Sequence, residues 1–259
     1  MASEQFGKFY DDNLRPIYQM PSADGKETVK VTIRQARKHG LMLSVSRILE
    51  EVADFDLVKW GKDQVAKACA EYPYDKPDKS EENMAAYLAL VKAKADEYRN
   101  FTADRGKELH AAVERYYRGE QVDRSDPAVD AAIAAFDEKF AEWGAESITN
   151  ERAIGGRKFG VVGTPDLVVK CGDVLRIVDF KTTDLSKFTK PYVKWKLQLG
   201  AYDWLSGEVK GTEIWQAVGD RTTGDVRFLQ HDDPDQWRQA FKHLVEFVFL
   251  INSYDPRKA

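Results

Sequence analysis

Three side chains in one stretch have types and spacing suited to demanding chemistry: Asp166, Asp179 and Lys181. They lie in the run VVGTPDLVVKCGDVLRIVDFKTT, where two segments rich in β-branched residues, 161–170 and 174–183, flank Cys171-Gly172-Asp173. Two such segments around a short glycine-containing turn predict a hairpin. Asp166 falls in its first strand, and Asp179 and Lys181 fall in its second. Residues two apart on a strand share a face. Two carboxylates and a lysine on an otherwise apolar strand are costly unless the charges pair or bind a cation. Hard divalent cations take carboxylate and carbonyl oxygens, and Mg²⁺ keeps positions for water and phosphate. Such an ion polarises a phosphodiester and helps to form hydroxide. A lysine beside it orients the attacking water or stabilises developing charge. Asp…Asp-x-Lys on adjacent strands therefore suits metal-dependent phosphodiester hydrolysis.

Two further groups belong with these three. Gln198 and Tyr202 lie one turn apart on a helix predicted over 191–206, so they share a face. Buried, each needs hydrogen-bond partners in any case. Upstream, the amphipathic stretch from Ala103 to Tyr117 carries His110 and Glu114 four apart on one face. On its own, a lone helical histidine is more often a satisfied structural residue than a ligand.

Taken together, Gly163-Thr164-Pro165-Asp166, Asp179-Phe180-Lys181 and Gln198…Tyr202 resemble the PD-(D/E)XK nuclease superfamily, and the trailing Gln-x-x-x-Tyr resembles its RecB-like exonuclease branch. The resemblance implies an α/β fold with a restriction-endonuclease-like core. A mixed central sheet would carry helices on both faces, with an N-terminal, mostly helical lobe. It also implies roles. Gly106-x-x-x-His110-x-x-x-Glu114 is similar to the branch's first motif, which makes His110 a metal ligand with Asp166, Asp179 and the Phe180 carbonyl. Lys181 would position the hydrolytic water, Gln198 and Tyr202 would support the site, and Glu114 and Glu151 are candidate supports. The stretch Ser44-Val45-Ser46-Arg47-Ile48-Leu49, with Leu57 and Trp60 following, resembles phage-type RecB-like exonucleases and the mitochondrial genome-maintenance exonuclease. Ser46 stands where that element usually has Thr, and Leu43 where Pro is common. Ser44, Ser46 and Arg47 are thereby candidate DNA contacts.

Composition sets the bounds. The chain has 259 residues, enough for a large core or a core with a smaller lobe, and is 43% hydrophobic and 32% charged. No apolar run approaches the roughly 20 residues that span a bilayer, and the polar start MASEQFGKFYDDN lacks the pattern of a secretory signal. Cys69 and Cys171 build no disulfide framework, which fits a reducing cytoplasm, and two cysteines cannot hold a four-cysteine iron–sulfur cluster. The net charge of −4 is not the footprint of a basic nucleic-acid binder. Local basic sets remain: Lys187, Lys190, Lys194 and Lys196 after the Asp-x-Lys strand, and Arg34, Arg37, Lys38 and Arg47 near the start. Either set serves as a solvated face or as phosphate contacts.

The elements that must position these groups follow from pattern. Residues 1–40 hold short extended pieces and a helix ending at Gly40. Ser44 or Ser46 caps a helix carrying Ile48, Leu49 and Val52 inward, and a second helix covers about 56–70. Pro73 to Ser80 is a polar loop. A long helix follows, with Met84, Tyr87, Leu88, Val91, Ala95 and Tyr98 inward, and then the His110 helix. Asp126-Pro127 opens a helix that ends at Gly144. Ser147 to Ile154 reads as one strand delivering Glu151. After the Gln198 helix come strands over 213–218 and 225–229. A closing helix over 234–254 has Trp237, Phe241, Leu244 and Phe247 as its stripe, and DPRKA forms a frayed tail. The domain boundary is placed near residue 100: 1–100 as the lobe, 101–259 as the nuclease core.

The function implied by the resemblance is a Mg²⁺- or Mn²⁺-dependent DNA exonuclease acting on single-stranded ends. It would serve phage or prophage recombination, replication or repair in the cytoplasm of a bacterial host, with a single-strand annealing or recombination protein as a candidate partner. The rivals are a lambda-type double-strand 5′→3′ exonuclease, a structure-specific endonuclease and, from another class, a nuclease-dead DNA-binding module.

Overall fold

The computed structural model describes residues 9–22, 26–52, 55–75, 80–150, 152–207 and 212–259, with the side chains of 55–58 and 60 left aside. Two compact units result: 1–52 together with 109–259, and 53–108. The sequence-based boundary near residue 100 therefore stands beside one at 52/53 and 108/109.

The larger unit opens with β1 (Phe9–Tyr10), β2 (Pro16–Ile17), β3 (Gln19–Pro21), β4 (Thr28–Lys30), α1 (Ile33–His39), β5 (Met42–Ser44) and α2 (Val45–Leu49). Thr32 closes a capping box with Gln35 at the start of α1, and Gly40 ends it in the left-handed conformation. The Ser44 hydroxyl caps α2 by accepting from the Arg47 amide at 3.0 Å.

The smaller unit holds α3 (Phe55–Glu71) and most of α4 (Glu81–Tyr117). Ala68, Val91 and Ala95 form its buried cluster, while Leu88, expected inward, is exposed. The two helices expected between residues 80 and 117 are one. Gly106 does not interrupt it, because a helical glycine costs only about 1 kcal/mol against alanine and this one is buried.

The rest of the larger unit comprises the end of α4 from Leu109, then α5 (Pro127–Glu142), β6 (Ser147–Asn150), β7 (Ile154–Gly156), β8 (Val161–Gly163), β9 (Leu167–Cys171), β10 (Val174–Thr183), α6 (Val193–Leu205), β11 (Thr212–Asp220), β12 (Val226–Gln230) and α7 (Pro234–Ile251). One five-stranded sheet runs β2-β1-β5-β8-β7 and another runs β12-β11-β10-β9-β6. In the second, β9 and β10 form the expected hairpin, turning at Gly172 with φ +60°. The β10–β11 pair is parallel, with α6 as its crossover, so the sheet is mixed.

Alternation along β10 divides the core. Ile177 joins Leu197 and Leu199 of α6 and Phe241 and Val245 of α7 on one face. Val178 and Phe180 join Leu109 and Val113 of α4 and Ile133 and Phe136 of α5 on the other. The sheet thus carries helices on both faces, as expected.

Three local expectations are corrected. The segment 161–170 is not one strand: β8 and β9 belong to different sheets, separated at Thr164-Pro165, where proline removes a ladder donor. The segment 147–154 likewise divides into β6 and β7 of different sheets. The tail is not frayed: Pro256 is buried in a short 3₁₀ helix, and Arg257 holds Glu246 bidentately at 2.6 and 2.9 Å.

Candidate active site

Asp166 stands in the break just before β9 and not within a strand. The carboxylate is 7% exposed and accepts from the Phe180 amide at 2.6 Å. That bond fixes it against β10 at the point where Asp179 and Lys181 lie. Asp179 is fully buried on the α6 face of β10. Its Oδ2 accepts from Lys181 Nζ at 2.7 Å and from Gln216 Nε2 at 2.9 Å, while its main-chain carbonyl accepts from Gln216 Nε2 at 2.7 Å. Asp179 Oδ1 is buried with no hydrogen-bond partner among the described residues.

His110 reaches the same point from α4. Its ring stacks on Phe180, with centroids 4.7 Å apart. Nε2 contacts the Phe180 carbonyl oxygen and lies 3.8 Å from Asp166 Oδ2. Nδ1 is 3.6 Å from Glu114 Oε1. Ligand atoms of His110, Glu114 and Asp166 lie within 4.8 Å of one another. Asp179 is outside that group, its Oδ2 being engaged by Lys181 and Gln216.

From the opposite face, α6 supplies Gln198 and Tyr202. Gln198 Nε2 donates to the Tyr202 hydroxyl at 2.7 Å, which donates to the Thr164 carbonyl at 3.2 Å. Tyr10 and Thr164 hydroxyls pair at 2.8 Å. Gly163 is dictated by this packing: a Cβ there would meet the Tyr202 ring at 2.9 and 3.0 Å. These groups line a cleft of about 300 Å³ with Ser44, Ser46, His110, Asp166 and Lys181.

The electrostatics follow from burial of many charges. Burial lifts the Asp166 carboxyl to about 6, with His110 opposing and Asp179 adding to the rise. Burial alone would lower His110, yet Asp166 and Glu114 carry it above the ordinary imidazole value. Lys181 is likewise disfavoured by burial but raised by Asp179 and Asp166. Burial, then Asp179 and Asp166, hold the Tyr202 phenol well above its usual value.

The donor set fits a hard divalent cation. Clustered carboxylate, imidazole and carbonyl donors suit such an ion, and the orphaned Asp179 oxygen is a buried acceptor that lacks a positive partner.

The other predicted residues are placed as follows. Ser44 and Ser46 line the cleft. Arg47 pairs with Glu51 at 2.7 Å and Glu50 at 3.6 Å. Lys187 pairs with Asp184 at 2.9 Å and is exposed, as is Lys190; Lys194 is half-buried. None of these three lysines lines the catalytic cleft. Glu151 lies outside the described residues. Gln216 was missed by sequence reasoning. Its signal was a lone polar side chain inside the apolar strand EIWQAV, a position that must find a buried partner.

Residues 144–256 match the family model of the PD-(D/E)XK nuclease superfamily. No curated protein matches the sequence. Among solved structures, a protein from Eubacterium rectale, provisionally designated an exonuclease, is similar at 15% identity with a TM-score of 0.44. The alignment covers 60% of this chain and 68% of that one. The protein SSO0001 is similar at 17% identity with a TM-score of 0.30, over 49% of this chain and 61% of that one.

Proposed function

We propose that the chain is a metal-dependent deoxyribonuclease, and that its form is an exonuclease acting on single-stranded DNA ends. The observation that supports it best is the convergence of Asp166, Asp179, Lys181 and His110 around the Phe180 carbonyl within a superfamily of nucleases. His110, Asp166, Asp179 and the Phe180 carbonyl would hold Mg²⁺ or Mn²⁺, with Glu114 on the far nitrogen of His110. The bound ion supplies Lewis-acid polarisation of the phosphodiester and lowers the pKa of water.

The chain's own residues do the rest. Lys181, held by Asp179, keeps its proton and presents a fixed positive charge to the attacking water and the pentavalent phosphate. Tyr202 stays protonated and, with Gln198 and Thr164, keeps the β8–β9 break that positions Asp166. Ser44 and Ser46 on the cleft wall present hydroxyls to a strand's backbone, a contact that needs no base reading. Lys187, Lys190 and Lys194 are candidate phosphate contacts. A place in phage or prophage recombination, replication or repair, alongside an annealing or recombination protein, rests on the resemblance to RecB-like exonucleases. Among the described residues no helix is long and apolar enough to cross a membrane.

The test is cleavage of end-labelled single strands, duplexes and closed single-stranded circles with Mg²⁺, Mn²⁺ or EDTA, beside Asp179→Asn and Lys181→Ala. Metal-dependent loss of linear strands with circles intact is expected, and the label released first gives the polarity. Cut circles would make the enzyme an endonuclease. Wild-type turnover in either variant would overturn the site.

A further inference from the structure

A second cleft of about 550 Å³ opens between the segment joining β10 to α6, the first turns of α6, and the edge strand β12. That volume lies in the range of small-ligand sites, about 300–1,000 Å³. Two of its lining residues carry a buried polar atom. Gln216 is 1% exposed and His231 9% exposed, and Gln216 Oε1 and His231 Nε2 have no hydrogen-bond partner among the described residues. The orientation of the Gln216 amide is fixed, because both atoms that face its nitrogen, the Asp179 carbonyl and carboxylate oxygens, are acceptors. Oε1 is therefore a buried acceptor in need of a donor. Burial keeps His231 neutral, its pKa lowered against the pull of Asp232, so its ring nitrogen offers neutral hydrogen bonding.

Around these atoms stand flat rings and cations. Phe188 lines the cleft and stacks on Trp195 with centroids 6.0 Å apart. Lys190, Lys196 and Arg227 line it too, against one carboxylate, Asp232. A ligand satisfying this set has a planar face, an N–H edge for Gln216 Oε1 and an anionic group for the cations. Those are the parts of a nucleotide: a base that stacks and hydrogen-bonds, and a phosphate.

We propose that the second cleft binds one nucleotide unit, base edge toward Gln216 and His231 and phosphate toward Lys190, Lys196 and Arg227. This rests on the nuclease reading for its substrate and deepens it. Gln216 would then touch the nucleotide through Oε1 and Asp179 through Nε2, so the cleft and the catalytic carboxylate share one amide.

The test titrates deoxynucleoside monophosphates, and separately a short oligodeoxynucleotide, into the whole protein in EDTA, following tryptophan fluorescence. Wild type is compared with Arg227→Glu and His231→Ala, with melting curves confirming that both fold; Arg227 is exposed on an edge strand and its change spares the core. At least tenfold weaker monophosphate binding in both variants supports a site for a free nucleotide. Weakening confined to the oligonucleotide, with KM for cleavage raised at least tenfold, supports a site for a strand residue. Binding unchanged by Arg227→Glu, or absent in wild type for both probes, overturns the cleft while cleavage of linear DNA still upholds the nuclease. Binding that depends on Arg227 in a protein that cuts nothing retains the cleft and overturns the nuclease.

Discussion

Gln216 holds Asp179 twice from the neighbouring strand, its Nε2 donating to the main-chain carbonyl at 2.7 Å and to the carboxylate at 2.9 Å. The two residues are register partners across the parallel β10–β11 ladder. The pair leaves one carboxylate oxygen for a cation and prevents rotation of the side chain.

Gln216→Ala removes both hydrogen bonds and leaves the buried Asp179 carbonyl without that donor and its carboxylate held by Lys181 alone. A loss of about 2 kcal/mol of stability is expected, since an unsatisfied buried acceptor costs about 1–3 kcal/mol. Urea denaturation measures it, and cleavage should fall further than stability accounts for, with kcat affected rather than KM alone. A variant with wild-type kcat would show that Lys181 suffices to fix Asp179.

Gly163→Ala places a methyl group 2.9 Å from the Tyr202 ring and 3.1 Å from Val45 Cγ2. Overpacking of this kind costs about 1–3 kcal/mol. Because Tyr202 bonds the Thr164 carbonyl beside Asp166, metal affinity should weaken along with the melting temperature. Unchanged Mn²⁺ affinity in a calorimetric titration would separate Tyr202 from the metal site.

The Asp166 carboxyl, lifted to about 6 by burial, binds its proton more tightly folded than unfolded, where a carboxyl titrates near about 3.9. Its contribution to stability is fully present below the unfolded value and is lost as pH rises through about 6. In EDTA, Asp166→Asn should therefore melt above wild type at pH 8, and the gap should close as pH falls below 6. Saturating Mn²⁺ should reverse the ranking, because only the carboxylate gains a ligand. Thermal melts over pH with and without metal decide this.

His231 runs in the other direction. Burial lowers its pKa, so its neutral form supports the fold above about pH 6.5, the unfolded value, and that support is lost as pH falls through the folded value. Between pH 7.5 and 5.5, His231→Gln should lose less stability than wild type, as read by urea unfolding at each pH. Parallel curves would mean that the imidazole is solvated in the folded protein.

Much of this arrangement was legible because chemistry and periodicity agreed. Asp179 and Lys181 needed only the strand's period of two to share a face, and Gln198 and Tyr202 only a helical turn. The position of Asp166 was less legible. The run from Val161 to Lys170 is apolar at both ends, Val161-Val162 and Leu167-Val168-Val169, so periodicity could not show that these ends serve two sheets; only Pro165 marked the break. Of the α7 stripe, Trp237, Phe241 and Leu244 pack against the core, and only Phe247 failed, by angle. At 3.6 residues per turn, Phe247 lies roughly 120° from Phe241 and is 51% exposed, whereas Val245 and Val248 fall inward. Gln216 escaped because a single polar residue in a strand carries no pattern; its meaning lies in the residue beside it on another strand, which only the register supplies.

The parallel pairing of β10 with β11 through α6 has a consequence for how the site is inherited. Asp179 and Lys181 lie on the first strand, Gln198 and Tyr202 on the connecting helix, and Gln216 on the second strand. Such strand–helix–strand crossovers take one hand almost without exception, so the winding of this segment fixes which groups face which. The centre is thus largely a contiguous cassette, preceded closely by Asp166, to which α4 lends a single imidazole and its carboxylate neighbour. Insertions in the loops outside that cassette can remodel what the protein grips while the atoms that cut stay in register.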